Sequence, residues 1–464
     1  MQRQLSIIKL PSCRECCKGI TMSVSYTRAI RASFFDITHT VDNPLNLAEA
    51  ARYLEDGLLL LDEGHIVSLS EWEAGRQLLR PGETILDYRG RLIVPGFIDS
   101  HIHYPQTEMI GAYGEQLLQW LNRYTFPVEG QYRCADHSAK MSAFFLEQLL
   151  SNGTTTALVF GTVHPQSVDA LFAAAEKLGM RLIAGKVMMD RNAPEELTET
   201  PEQSYQQTRD LIERWHNKGR LNYALTPRFA PTSSPQLLEK VQQLRSEYPD
   251  VWLHTHLSEN PQEVAWVKAL FPQHDGYLDV YHHYQLTGKR SLFAHCLHLE
   301  NREWQCLHDT ASAVAFCPTS NLFLGSGLFN LQRCWQQGVK LGLGTDVGAG
   351  TSFSMLQTMG EAYKVGQLRG YKLAACEAFY HATLGGAQAL DLDRYIGNFA
   401  SGKEADFVVL DPQVTALQQM RFANSRDIWE KLFLLMTLGD DRNIAATWVN
   451  GRCVWQRANV EQSA

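Results

Sequence analysis

Residues 92–106 read LIVPGFIDSHIHYPQ. A continuous apolar run ends on two histidines two positions apart. Such runs suit strands buried on both faces, as in a parallel sheet covered by helices. Within a strand, His101 and His103 project to the same side. Two imidazoles at a buried strand end can share one metal ion, although a structural pair satisfied by hydrogen bonds would read the same way.

Seven further short apolar runs follow: Thr154–Val159, Arg181–Met188, Leu221–Leu225, Val251–His256, Ser291–His295, Ala313–Phe316 and Lys340–Gly344. With Leu92–Asp99 they make eight candidate strands. Between them lie stretches such as AKMSAFFLEQLL (139–150) and SPQLLEKVQQLRSEY (234–248), with apolar residues at helical spacing. Strands alternating with helices predict an α/β fold, a closed (β/α)₈ TIM-like barrel over residues 96–395. A doubly wound open sheet is the alternative, but no glycine-rich phosphate fingerprint supports it. The stretch from Tyr104 to Ala139 is long for a connection and predicts a lid or substrate wall at the barrel rim.

Strand signals flank this zone. AIRASFFDI (29–37), GLLLLDEGHIVSLS (57–70) and TILDYRGRLIVPGF (84–97) precede it, with turns expected at Gly57, Gly64 and Gly90. ADFVVLD (405–411) and AATWVNGRCVW (445–455) follow, and Asn450-Gly451 predicts a hairpin. Neither flank is large enough for its own core, so residues 28–95 and 396–464 are expected to form one composite β-sandwich. Residues 1–27 are expected to be a disordered extension, with Met22 an alternative start. Cys13 and Cys16 form a C-x-x-C beside Cys17, but no further ligands follow nearby for a structural zinc.

The 464 residues are 45% hydrophobic and 20% charged, with net charge −8, which is ordinary for a globular chain and argues against a nucleic-acid partner. No apolar run approaches the ~18–20 residues that span a bilayer, so no membrane association is expected. Ten scattered cysteines predict reduced thiols and a cytoplasmic location.

Barrel enzymes carry their chemistry at the C-terminal strand ends. HTHLSEN (254–260) closes the fifth run, and by spacing either His254 or His256 could be a ligand. Glu259 could reach back over the site or simply be solvated. FAHCLHL (293–299) places His295 at the rim and His298 beyond it. LGLGTDVGAG (341–350) makes Asp346 the first carboxylate after the eighth run, a ligand or a helix cap. Four strand ends carrying His or Asp at one end of a barrel predict a catalytic metal. Zinc accepts imidazole nitrogen and carboxylate oxygen and leaves a position for water, whose pKa falls to about 7.

PGFIDSHIH, the strand-five histidine, FAHC, GTD and GKEADFVVLD (402–411) resemble signatures of the amidohydrolase superfamily. HIHYPQ, TPRFAPTSS (226–234), HTHLSEN, FCPTSNLFLGSG (316–327) and GTDVGAG are similar to those of its guanine deaminase family. The resemblance spans nearly all of the chain after residue 28. It implies a barrel flanked by a composite sandwich, one Zn²⁺ per subunit, a homodimer, and hydrolytic deamination of guanine to xanthine and ammonia in purine catabolism. It further implies zinc ligands His101, His103, His256 and Asp346, leaving His254 as a hydrogen-bonded interior residue. Glu259 resembles the proton-shuttling acid, and His295 the residue that orients the attacking water or polarises the base. Asp346 would also help generate and hold the nucleophile. For guanine itself, Arg228 can donate two parallel hydrogen bonds to the O6 and N7 edge, and the Gln106 amide can pair with ring nitrogens. Phe229 and Trp120 are candidate apolar walls, with Trp120 equally readable as core.

Other readings exist. A binuclear cyclic amidohydrolase would need a bridging lysine, for which Lys186 is the candidate. A deaminase of adenine, cytosine or a triazine, or a scaffold without activity, would share the fold. The H-x-E…P-C-x-x-C pattern of the cytidine deaminases is absent.

Overall fold

A computed structural model describes residues 26–114 and 116–458. The first strands are β1 (Arg28–Ile37), β2 (Ala51–Asp62), β3 (His65–Glu71) and β4 (Ile85–Pro95). The middle of the chain supplies β5 (Phe97–His103), β6 (Thr154–Phe160), β7 (Arg181–Gly185), β8 (Val187–Met188), β9 (Leu221–Pro227), β10 (Trp252–Leu257), β11 (Ser291–His295), β12 (Ala313–Phe316) and β13 (Lys340–Leu343). Last come β14 (Phe407–Leu410), β15 (Ile444–Val449) and β16 (Arg452–Gln456).

The middle strands form one parallel sheet in the order β5-β6-β7-β9-β10-β11-β12-β13, with short β8 added to β9. Its two ends meet just past β13. The Asp346 N–H donates to the His101 carbonyl and the His103 N–H to the Val347 carbonyl, each at 2.9 Å. The sheet is therefore a barrel and not the open alternative. Its interior is filled, as the physics of a small barrel requires. Ile98, Leu158, Ile183, Ala224, Trp252, Leu292 and Ala313 form a buried layer, packed against Ala387, Leu390 and Ile396. Trp252 Nε1 donates to the Leu390 carbonyl at 2.8 Å, so the indole is satisfied while its ring plugs the barrel.

The run at residues 92–99 is two strands and not one. Leu92–Pro95 end β4, which pairs antiparallel with β14 in the register Val94↔Val408. Pro95 has no N–H to continue a ladder. After Gly96 the chain enters β5, which continues to His103 and carries both histidines within the strand. The run at residues 181–188 is likewise divided, at Lys186.

The two ends of the chain build a single seven-stranded sheet, β16-β15-β14-β4-β1-β2-β3. Its sandwich-like interior gathers Ile30, Phe34, Ile93, Phe407 and Trp448. Phe35, Val94 and Val408 on the other face pack into the core shared with the barrel. Gly57 is not a turn. It lies inside β2 opposite Ala32, where a Cβ would come within 2.7 Å of the Phe34 ring. Gly90 lies within β4 beside a register shift against β1 and marks a bulge. Gly64 does turn the chain from β2 to β3. Asn450 and Gly451, with φ of 49° and 69°, take the two left-handed positions of the expected hairpin turn.

Of the residues expected to be disordered, Tyr26 is packed, and Thr27 is exposed but hydrogen-bonded through its N–H to the Leu61 carbonyl at 2.7 Å. Tyr26 is 1% exposed, and its hydroxyl donates to Glu83 at 3.1 Å. The rest of the expected extension, with Cys13, Cys16 and Cys17, lies outside the described residues. Tyr104–Ala139 is no open loop. It is a chain of helical turns, Tyr104–Met109 and then almost continuously Leu117–Arg133, that leads into the helix Ala135–Ser151. Among the described residues no helix is long and apolar enough to cross a membrane.

Candidate active site

The C-terminal strand ends bring the predicted residues to one buried place. His101 and His103 come from β5, His254 and His256 from β10, and His295 from the last position of β11. Asp346 stands three residues past β13. His101 Nε2 lies 3.1 Å and His103 Nε2 3.3 Å from Asp346 Oδ1. His103 Nε2 lies 3.2 Å from His256 Nε2. Deeper, His254 Nε2 meets His101 Nδ1 at 2.6 Å, which is the interior position expected of it.

Local sequence explains these placements. Glycines after β13 let its loop approach β5 closely, since a Cβ on Gly344 would lie 2.9 Å from that of His101. Asp99 accepts from the Thr345 N–H at 3.0 Å and from its hydroxyl, and from the His101 N–H at 3.2 Å. One carboxylate thus ties the two ends of the barrel wall. Burial raises the Asp99 pKa to about 7. Ser258, His295, Cys296 and Asp346 all have positive φ. These left-handed conformations cost energy in non-glycine residues and cluster at functional sites.

Glu259 follows β10 in the turn that starts the helix Pro261–Leu270. The helix begins with a capping box, in which Asn260 Oδ1 accepts from the Gln262 N–H. Glu263 Oε2 accepts from the N–H groups of Glu259 at 2.8 Å and Asn260 at 3.1 Å. Glu263 is itself held by the Tyr277 hydroxyl at 2.6 Å. The Glu259 backbone is therefore anchored while its side chain turns inward. Oε1 accepts from Ser326 Oγ at 3.3 Å, and Oε2 lies 3.4 Å from His295 Nε2. Burial, helped by the charge of Asp346, raises the Glu259 pKa to about 8. Burial also opposes ionisation of Asp346, but His101, His103 and His295 outweigh it and hold that carboxyl well below its usual range. Neighbouring groups of one type are thus set for opposite tasks.

The donor set fits a divalent metal ion. The His256 Nδ1–H donates to the Arg228 carbonyl at 2.7 Å, which leaves the Nε2 lone pair facing His103 Nε2. His101 Nε2 and His295 Nε2 are buried and face only carboxylate oxygens, of Asp346 at 3.1 Å and of Glu259 at 3.4 Å. Burial lowers the His103 pKa to about 4 and that of His256 well below normal, so the rings are neutral and able to donate lone pairs. Ligand atoms around a tetrahedral ion with ~2.0–2.1 Å bonds stand about 3.3 Å apart, close to the His–His and His–Asp spacings here. His295 and Cys317 also have donor atoms near this cluster. Burial holds the Cys317 thiol far above its ordinary range, however, and its Sγ contacts the Ala315 carbonyl. His295 Nε2 is 3.7 Å from Asp346 Oδ2, a longer contact than those of His101 and His103.

A small cavity opens on this cluster. His103, His256, His295, Asp346 and Glu259 line it together with Gln106, Arg228, Phe229 and Trp120. Trp120, 2% exposed, both packs in a local apolar cluster and faces the cavity. Lys186 is elsewhere, buried in an ion pair with Glu199 and donating to the Val187 carbonyl at 3.2 Å. It bridges nothing.

Residues 92–454 match the amidohydrolase family, which covers the whole barrel and nearly all of the C-terminal strands. The chain belongs to that family. This amidohydrolase is 63% identical over 437 residues to the guanine deaminase of Escherichia coli strain K12, covering 94% of this chain and 100% of that one. The solved E. coli guanine deaminase superposes with a TM-score of 0.92, covering 93% of this chain and all of its own. A guanine deaminase from C. acetobutylicum, solved with guanine in its active site, superposes at 0.83 with 30% identity, over 92% of this chain and all of its own.

Four residues of the site went unnoticed in the sequence. Asn321 Oδ1 receives the His295 Nδ1–H at 2.9 Å, which turns Nε2 towards Glu259. Asn321 and Ser326 lie in FCPTSNLFLGSG, where polar residues within an apolar motif were a usable signal. Glu263 had one too, as the acid of a capping box beginning at Asn260. Glu129, which joins Gln106 to Arg228, had none, because a single acid in a helical stretch looks like a solvated one.

Proposed function

We infer that this amidohydrolase hydrolyses guanine to xanthine and ammonia. The single observation that carries the reading is the composition of one cavity wall. Groups able to hold a metal, a buried acid of raised pKa, and an Arg–Gln pair suited to a purine edge all face the same space. The 63% identity to a guanine deaminase over nearly the full chain supports the same substrate.

His101, His103, His256 and Asp346 would hold one Zn²⁺ per subunit. When bound, such an ion lowers the pKa of water to about 7 and so supplies a nucleophile at neutral pH. The chain's own groups do the rest. Gln106 and Arg228 hydrogen-bond the flat base and present its C2 carbon to the histidine cluster. Phe229 and Trp120 enclose its faces and exclude water. Asp346, kept ionised, accepts a hydrogen bond from the attacking water and orients it. Glu259 accepts the proton released as the C–O bond forms and delivers it to a ring nitrogen. It then takes up the proton that the adduct hydroxyl gives up as the carbonyl forms and passes it to the exocyclic amine as the C–N bond breaks. A carboxyl with a pKa near working pH can both take and give a proton. In its protonated form His295, with Nδ1–H held by Asn321, donates through Nε2–H towards the charge that develops on the adduct. The balance is guanine plus water in, xanthine plus ammonia out.

We further propose that residues 96–395 are the catalytic barrel, supported by the flanking segments 28–95 and 396–464. In this reading a homodimer acts in the cytoplasm, in purine catabolism, as the family resemblance and the scattered cysteines suggest. Ammonia release from a panel of guanine, adenine, cytosine and ammeline, with metal counting, tests the proposal. Preference for guanine with one zinc per chain is expected. Preference for another base, or two metals per chain, overturns it.

A further inference from the structure

Glu129 does not line the cavity, yet it touches both side chains assigned to the base. It ends the short helix Phe126–Glu129 within the Tyr104–Ala139 segment. Its Oε1 accepts from Gln106 Nε2 at 3.0 Å, and its Oε2 from an Arg228 guanidinium nitrogen at 2.7 Å. The carboxylate side chain is 1% exposed and the guanidinium 3%. Gln106 is pinned from its other end as well, because its Oε1 accepts from the Gly348 N–H at 3.3 Å. A flipped amide would turn its oxygen against the carboxylate and its NH₂ against an N–H donor. Glu129 therefore determines which way the amide faces. Arg228 also lies over the Phe126 ring, 5.5 Å from its centroid, so one helical segment holds it by both charge and packing.

We propose that Glu129 is the positioning residue for substrate recognition and also sets the charge of the cavity. It locks Gln106 and Arg228 in place and cancels the guanidinium charge, so the site selects a neutral heterocycle over an anionic one. This rests on the reading that Gln106 and Arg228 contact the base. A guanidinium buried without a counter-charge would attract anions strongly, because charges interact far more in a poorly solvated site than in water. Paired with Glu129, Arg228 keeps its directional N–H groups but brings no net charge. That suits an uncharged base and penalises a heterocyclic anion of similar outline.

The test uses the zinc-loaded enzyme, with guanine as substrate and urate, an oxopurine monoanion at neutral pH, as competing probe. For Glu129→Gln the guanine KM is expected to rise at least ~10-fold with kcat changed less than ~3-fold, since the hydrogen bonds that act before chemistry are disturbed. The inhibition constant for urate is expected to fall ~10-fold as the uncompensated guanidinium appears. Glu129→Asp keeps the charge but shortens its reach. It should raise the guanine KM and leave the urate constant within ~3-fold of wild type. Unchanged KM and urate constants in Glu129→Gln would overturn the proposal. So would a fall of the urate constant in Glu129→Asp equal to that in Glu129→Gln. Should Glu129→Gln fail to fold, Glu129→Asp decides alone. A raised KM with retained urate constant supports the proposal, whereas an unmoved KM or a kcat loss equal to the KM change overturns it. Arg228→Ala separates this from the underlying reading. If it leaves the guanine KM unmoved, the substrate assignment falls, while calorimetric urate binding to Glu129→Gln still reports whether Glu129 sets the charge.

Discussion

The Asp346 N–H donates to the His101 carbonyl at 2.9 Å, and the Asp346 carboxylate returns to within 3.1 Å of the same residue's Nε2. One pair of residues thus closes the barrel and brings two candidate metal ligands together. Any change at this seam acts on structure and chemistry at once.

Asp346→Ala should therefore lose both metal and turnover. Elemental analysis is expected to find well under one zinc per chain, and kcat to fall at least ~10³-fold. Stripping the wild type with a chelator should lower its melting temperature, and zinc should restore it, because a ligand that binds only the folded state stabilises it by mass action. Full metal content in the variant would exclude Asp346 as a ligand.

Glu259→Gln should keep the metal and lose ~10²–10⁴-fold in kcat, the usual contribution of a positioned proton-transfer group. Near-normal turnover would end its assignment as proton shuttle.

The same substitution makes a pH prediction. The carboxyl has an ordinary pKa of 4.5 when unfolded and about 8 when folded. Its contribution to stability is complete below the unfolded value and is lost as pH rises through the folded one, where the buried group must ionise. Metal-free Glu259→Gln, neutral at every pH, should therefore melt above the wild type at pH 9 and close to it near pH 4. Calorimetry at the two pH values measures the difference, and an equal offset at both would refute it.

Arg228→Ala should weaken guanine binding by ~10²-fold in KM while leaving zinc in place. It also strands the buried Glu129 carboxylate, a loss of partner that costs about 3–5 kcal/mol, so the variant should melt early. Loss of metal in this variant would mean that the Arg228 side chain supports the histidine cluster and not the base.

Glu263→Ala removes the acceptor that fixes the Glu259 and Asn260 N–H groups. Stability should drop by about 1–3 kcal/mol for the stranded donors. The kcat should fall ~10-fold with metal unchanged, as a displaced shuttle predicts. Tyr277→Phe, which leaves the carboxylate in place, should cost less on both scales. Equal effects would show that the tyrosine and not the backbone anchor matters.

The barrel was legible because its strands are short apolar runs at regular intervals, a pattern set by burial on both faces. The cluster of histidines and Asp346 was legible as a candidate metal site because His101-x-His103 and its partners fall at the same barrel end, and alternation along a strand fixes their side. The division of residues 92–99 at Pro95–Gly96 was not legible. Hydropathy is equally high on both sides of the break, and only pairing partners distinguish a sandwich strand from a barrel strand. Gly57 misled for a similar reason, since a glycine that admits the Phe34 ring has the same letter as one that turns the chain.

By itself, the sequence determined the fold class and the strand ends that carry histidine and aspartate, because these follow from local periodicity and spacing, whereas the choice of His256 over His254 and the role of Glu259 came from the family resemblance. The tertiary structure alone decided what holds them. Asn321 behind His295, Glu263 beneath Glu259 and Glu129 between Gln106 and Arg228 are 26, 4, and 23 and 99 residues from their partners. Most of these contacts join distant parts of the chain. Even the near one depends on a helix start pointing a carboxylate at two backbone donors, which is a matter of direction in space.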